Sequence, residues 1–230
     1  MAVLLIIPLA FGVREPGFQG AAPPKRDQTI GHALREAFSY PSFNLLMAGY
    51  FVCGFQVVFI GVHMPSYLRD NGLSPQVASY ALALIGLFNV FGTYIAGTLG
   101  QRMPRRFILS FIYLARAVAI SVFLLVPLSP LSVYIFSAVM GTLWLSTVPP
   151  TNATIAQIFG VQHLSMLGGF VFFSHQLGSF MGVWLGGYLY DATGSYDIVW
   201  YIAIGLGVLA GLVNLPIKEA PIQRAQPQAA

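Results

Sequence analysis

The stretch Gly97-Thr98-Leu99-Gly100-Gln101-Arg102-Met103-Pro104-Arg105-Arg106 decides how the rest of the chain is read. It is a basic turn set between two long apolar runs. Arg102, Arg105 and Arg106 cannot enter hydrocarbon cheaply, so they assign the turn to one face of a membrane. The full chain has 230 residues, of which 57% are hydrophobic and only 8% charged, and its mean hydropathy is +0.74. A soluble domain carries about 25% charged residues. The chain is therefore an integral membrane protein, and each helical span needs about 20 apolar residues.

Counting outward from the turn, six full spans are expected over residues 42–68, 76–99, 107–126, 131–149, 163–190 and 196–215. Between them lie turn sequences rich in proline, glycine and small polar residues, such as Pro127-Leu128-Ser129-Pro130 and Asp191-Ala192-Thr193-Gly194-Ser195. Pro149 and Pro150 read as the end of the fourth span. Residues 1–13 are apolar but too short to cross, and read as the end of a truncated transmembrane helix. Residues 14–41 form a polar linker, within which 29–40 has the pattern of a short interfacial helix with Ile30, Ala33, Leu34, Ala37 and Phe38 on one side. Residues 42–215 form the bundle, and 216–230 a cytoplasmic tail expected to be disordered.

Alternate loops collect Arg14, Lys25, Arg26, Arg35, Arg102, Arg105, Arg106, Lys218 and Arg224 on one side, against Arg69 on the other. That asymmetry assigns the linker, the basic turn and the C-terminus of a multi-pass membrane protein to the cytoplasm. The modest net charge of +4 comes in blocks between apolar runs, which is topology and not a nucleic-acid-binding face. Cys53 is the single cysteine, so no intrachain disulfide can form.

An offset of ninety residues aligns Gly92 with Gly182, Gly97 with Gly187, Leu99 with Leu189, Gln101 with Asp191 and Pro104 with Gly194. The matched turns are three spans apart and so on opposite faces. That pattern belongs to an inverted three-plus-three repeat, the unit of many secondary transporters.

At this point the chain resembles the major facilitator superfamily, whose loop motif reads G-x-L-x-D-R-x-G-R-R between paired helices. Gly97, Leu99, Arg102, Arg105 and Arg106 match it, while Gln101 stands in place of aspartate and Pro104 in place of glycine. The glycine-rich fifth span and the Tyr190-Asp191-Ala192-Thr193-Gly194-Ser195-Tyr196 turn are similar to the family's eleventh helix and its following loop. Among subgroups, the chain is most similar to bacterial monocarboxylate or oxalate/formate-type porters. The resemblance implies an all-α membrane protein, six transmembrane helices forming the second half of a twelve-span fold. It implies a secondary transporter for a small organic solute, a carboxylate anion in that subgroup, working by alternating access. Its partners would be the lipid bilayer, the solute, a coupling proton or counter-anion, and a missing N-terminal half or a second copy. The basic turn would latch the cytoplasmic side, with Gln101 lacking the family's latch carboxylate. The competing reading is a non-transporting remnant or an assembly partner for another half-transporter.

Arg116 lies ten residues past Arg106, roughly 15 Å into the bilayer at 1.5 Å per residue. Such a charge must face protein or a water-filled cavity. Apart from Asp197 at the very start of the sixth span, no Asp or Glu lies in the six spans, leaving a backbone carbonyl, a bound anion or the absent half as its counterpart. It can bind a substrate anion bidentately, or it can pin helices together; the family's peripheral ninth helix favours the pin. Gln56, Asn89, His175, Gln176 and Ser179 are further midspan polar groups and substrate-binding candidates. His175 has the ring to relay a proton, or else makes an interhelical hydrogen bond. Gln56 and His63 lie seven apart on one face and can line a pathway. Tyr50, Trp144 and Thr147 are weaker cavity-lining candidates. Gly178, Gly182 and Gly186, and separately Gly207 and Gly211, have the G-x-x-x-G spacing that lets helices approach closely. No zinc, phosphate-loop or nucleophile-elbow motif occurs, so neither an enzyme nor a metal or cofactor site is expected.

Overall fold

The computed structural model describes residues 28–223, so the expected truncated helix at 1–13 and most of the linker lie outside the described residues. The described residues form eight α-helices: α1 (Ile30–Ser39), α2 (Pro41–Asp70), α3 (Pro75–Leu99), α4 (Arg105–Leu125), α5 (Pro130–Leu143), α6 (Val148–Phe159), α7 (Leu164–Thr193) and α8 (Asp197–Asn214). No strand occurs among the described residues. Proline opens α2, α3 and α5, where its missing N–H would have had no helical partner and its φ is already helical. Ser129 closes the entry to α5 with a capping box, its Oγ accepting from Ser132 N at 3.2 Å while Ser132 Oγ accepts from Ser129 N at 2.9 Å. Gly194, at φ 71°, ends α7 in the left-handed conformation that its missing Cβ permits.

Among the described residues, five segments are long and apolar enough to cross a membrane: Pro41–Asp70, Pro75–Leu99, Arg105–Leu125, Pro130–Phe159 and Asp197–Asn214. The expected fifth span, α7, has 30 helical residues but is not among them, because its serines, glycines, His175 and Gln176 dilute its apolar content.

The expected fourth span differs most. Its helix does not run to Pro149; α5 stops at Leu143, residues 144–147 leave the helix, and α6 begins at Val148. Pro149 and Pro150 therefore start a helix and do not end one. The reason is local: two consecutive residues without an N–H cannot serve the carbonyls one turn earlier, but fit a first helical turn without loss.

The long helices pair as α2 with α7, α3 with α5, and α4 with α8. In addition, α2 meets α8 and α5 meets α4. Missing Cβ atoms make these seams. A Cβ at Gly54 would collide with the His175 carbonyl, and one at Gly178 with that of Phe51, so α2 and α7 meet backbone to backbone. Gly182 meets Phe55, and Gly186 meets the His63 ring. Gly92 against the Thr142 carbonyl and Gly141 against Ile85 make the α3–α5 seam. Gly207 and Gly211 do the same between α8 and α4.

Two large apolar clusters fill most of the interior of the described residues, beside a small one of Ile108, Ile112 and Leu143. The large cluster nearer the basic turn holds Phe43, Leu46, Tyr113, Ile155 and Phe159. The other holds Phe59, Met64, Ile120, Phe123, Phe136 and Trp200, with Phe123 and Phe136 stacked at 4.1 Å. Between them lies the polar group built on Arg116.

After α8 the chain does not become a free tail. Ile217 is fully buried, Lys218 N donates to Ser42 Oγ at 2.9 Å, and Ile222 N donates to Ile158 O at 3.0 Å. Glu219 Oε1 accepts from Arg106 N at 2.8 Å and so caps the first turn of α4, while its Oε2 lies 3.8 Å from Arg105 Nη1. Residues 216–223 thus form a strap across the ends of α2, α4 and α6, and only 224–230 of the expected tail lie outside the described residues. Burial of one isoleucine and a helix-end carboxylate outweighs the Pro/Gln/Ala composition that suggested disorder. Glu219→Ala is expected to lower stability by about 1 kcal/mol, the usual cost of losing an N-terminal cap. Proteolysis should speed at the strap before the rest of the chain; unchanged cleavage there would mean the carboxylate does not hold it.

Candidate functional site

Arg116 sits on α4 and is completely buried. Leaving the helix at residues 144–147 frees the carbonyls of Leu143 and Trp144, because Val148 N bonds Leu145 O at 2.9 Å in place of Trp144 O. The guanidinium takes them both. Arg116 Nε donates to Leu143 O at 3.2 Å, and Nη2 donates to Leu143 O at 2.6 Å and to Trp144 O. Nη1 donates to Cys53 Sγ and Gln56 Oε1, each at 3.4 Å. A guanidinium has five N–H groups, and these five contacts give each of them an acceptor. The charge also lies 5.5 Å from the Tyr113 ring.

Neighbours complete the break. Asn89 of α3 accepts from Leu145 N at 3.0 Å through Oδ1, which also accepts from Thr93 Oγ1 at 3.2 Å. Cys53 Sγ lies 3.3 Å from Thr147 Oγ1. Ser146 Oγ donates back to Thr142 O at 2.5 Å. The non-helical backbone is thus enclosed in protein, the condition under which such backbone is tolerated at membrane depth. Gln56, also fully buried, donates from Nε2 to Ala203 O of α8 at 2.9 Å. One arginine and one glutamine therefore tie α2, α4, α5 and α8 together.

His175, Gln176 and Ser179 form a second group on α7. His175 Nδ1 lies 3.2 Å from Gln176 Oε1 and 3.3 Å from Ser179 Oγ, and Ser179 Oγ donates to His175 O at 2.9 Å. The imidazole is stacked on Phe172 at 5.6 Å and tilted against Tyr50 at 5.3 Å. It is buried on the α2 side, whereas Gln176 turns outward among exposed Phe172, Phe173, Leu177 and Phe180. His63 is apart from both groups; its Nε2 donates to Val183 O at 3.0 Å, a bond between α2 and α7. Gln56 and His63 share a face as their spacing requires, but each spends its donor on a neighbouring helix. Trp144 and Thr147 belong to the break, and Tyr50 to the imidazole.

Cys53 and the carbonyls of Leu143 and Trp144 are the members that sequence reasoning did not single out. A lone cysteine in an apolar run and two backbone oxygens carry no composition signal. Proline pairs one turn beyond a tryptophan were the available hint.

The basic turn lies at the other end of α4. Arg105 bonds Gln157 Oε1 through Nη1, and Arg106 Nη1 donates to Ile217 O at 3.4 Å. Gln101 and Arg102 are exposed. The carboxylate beside the arginines comes from Glu219 of the strap.

The sequence model of the Major Facilitator Superfamily matches this chain over residues 1–182 and again over 46–230. The chain belongs to the major facilitator superfamily. Among curated relatives of this superfamily member, an uncharacterized MFS-type transporter of Bacillus subtilis (strain 168), YcxA, is 26% identical over 221 residues, covering 94% of this chain and 53% of the relative. Monocarboxylate transporter 13 of Bos taurus is 25% identical over 192 residues, covering 80% of this chain and 43% of the relative. Its counterpart in Rattus norvegicus is 26% identical over 181 residues, covering 76% and 40% respectively. The chain spans about half the length of these relatives. They are named as transporters and not as enzymes, in agreement with the missing catalytic motifs.

Proposed function

We propose that this chain is the C-terminal six-helix half of a secondary transporter that carries a small organic carboxylate by alternating access. Its six spans, with α5 and α6 as one interrupted span, would form an inverted three-plus-three repeat. The observation that carries the reading is the pairing of helices. Exchanging the first three spans with the last three turns the α2–α7 pair into the α5–α3 pair and the α2–α8 pair into the α5–α4 pair, and leaves α4–α8 unchanged. Gly92 and Gly182, matched by the ninety-residue offset, are close-approach glycines on the two exchanged seams. Such a repeat rocks against a matching bundle around a midplane site. The matching bundle is an N-terminal half or a second copy, covering the outward face of α7 and the exposed Leu87, Phe91 and Tyr94 of α3. The basic turn and the strap would lie on the cytoplasmic side of a bacterial membrane.

The carboxylate class is supported by the names of the animal relatives. Gln176 is the substrate contact of this reading, because it is polar and exposed on the outward face, with His175 and Ser179 hydrogen-bonded behind it and Tyr50 packed against the imidazole. Asn89, Gln56 and Arg116 are structural in it, because Asn89 Oδ1, both polar atoms of the Gln56 amide and the Arg116 guanidinium are already engaged at the helix break and between helices.

Uptake of labelled short-chain monocarboxylates into vesicles holding the chain and its matching half tests this. Saturable uptake is expected, with Gln176→Ala lowering its initial rate roughly tenfold or more, the size expected for losing a substrate hydrogen bond. Uptake indifferent to Gln176→Ala and His175→Ala would remove the site. A folded, assembled protein with no carboxylate flux would favour the assembly-partner reading.

A further inference from the structure

We propose that the pocket at the basic turn binds the phosphate of an anionic phospholipid. The pocket has a volume of about 520 Å³ and is walled by Arg102, Arg105, Arg106, Gln157 and Glu219. Three guanidinium groups face one carboxylate there, so it keeps a net positive charge. Arg105 Nε and Arg106 Nε are both buried and have no hydrogen-bond partner among the described residues. Buried donors without acceptors are costly, and a phosphate oxygen is the acceptor that guanidinium geometry fits best.

Depth identifies the source of that phosphate. The 21 residues of α4 extend about 31 Å at 1.5 Å per residue, close to the roughly 30 Å of the hydrocarbon layer. Arg105, the first residue of α4, therefore sits at one edge of that layer, the level of the headgroup phosphates. Leu99 and Met103 beside the pocket are exposed, as are Phe107 and Phe111 on the first two turns of α4, at 45% and 67%. The Arg106 guanidinium lies over the Phe107 ring at 4.8 Å. Apolar side chains immediately below the arginines meet the acyl chains of the surrounding leaflet, so a phosphate attached to those chains is held at the level of the pocket. Basic pockets at the membrane edge recognise lipid headgroups in this way.

The test compares the purified chain in nanodiscs of phosphatidylcholine alone and of phosphatidylcholine mixed with phosphatidylglycerol, by thermal unfolding and by native mass spectrometry of retained lipid. Phosphatidylglycerol is expected to raise the unfolding temperature and to remain bound. Arg102→Gln with Arg105→Gln should weaken its retention about tenfold or more, the equivalent of one lost charge-assisted contact. Arg102 is exposed at the rim, so Arg102→Gln alone should weaken retention while leaving unfolding in phosphatidylcholine unchanged, which separates lipid binding from folding. Equal stabilisation by phosphatidylcholine, or by inorganic phosphate added to the neutral discs, would overturn the proposal. So would a double variant that retains phosphatidylglycerol as the wild type does.

Discussion

Arg116→Met is expected to lower the stability of the chain by about 3–5 kcal/mol, the range for breaking a buried charged contact network. Methionine fills much of the volume but donates nothing. The carbonyls of Leu143 and Trp144 and the Gln56 Oε1 would lose the donors they now share, and each buried acceptor left unpaired costs about 1–3 kcal/mol. Arg116→Lys should fall between the two, because an ammonium keeps the charge but offers three donors on a shorter fork-free chain. Unfolding in detergent, followed by helical signal, measures both. A loss of less than about 1 kcal/mol for the methionine variant would show that the break holds itself without the guanidinium.

The second large effect contrasts two identical substitutions on one helix. Gly178→Ala puts a methyl group against the Phe51 carbonyl, where the backbones of α2 and α7 leave no flexible side chain to move aside. A loss of about 3 kcal/mol is expected, the upper end for overpacking. Gly169→Ala places the same methyl where nothing lies within 4 Å. It should be neutral or gain up to about 1 kcal/mol, since alanine is the better helix former. The same unfolding measurement decides it. Similar results for the two variants would mean that α2 and α7 do not meet where the glycines place them.

Much of the architecture was legible in composition. Hydrocarbon rejects charge and unpaired backbone, so apolar runs of span length had to be helices and the arginines had to mark an edge. The short helix α1 was equally readable, with Thr29 accepting from His32 N at 3.4 Å and Ala33 and Ala37 buried. Glycine spacing named two of the three seams, α2–α7 and α4–α8, because only a missing side chain lets backbones touch, while the α3–α5 seam of Gly92 and Gly141 had no such spacing. The motif around Gly97 and Arg102 carried the family. α7 shows the limit of that approach: its polar residues hold it below the apolarity of the other spans, although its 30 residues are helical.

What composition could not determine was the pairing of groups far apart in the chain. The fourth span reads as one apolar run, and proline placement alone does not say whether a helix ends or begins. The outcome rests on whether the carbonyls that it frees find donors, and those donors come from Arg116, 27 residues away from Leu143 in sequence. Arg116 itself was legible as a buried charge needing a counterpart, yet its counterparts are backbone oxygens, which every residue possesses and no sequence marks. Likewise, Gln101 left the basic turn without its carboxylate, and the tertiary fold brings Glu219 to it from 113 positions beyond Arg106. The sequence by itself determined the solvent and most of the helices, because those follow from local transfer free energies, and its loop motif carried the family. The tertiary structure alone decided which polar groups satisfy one another, because that depends on which helices lie side by side.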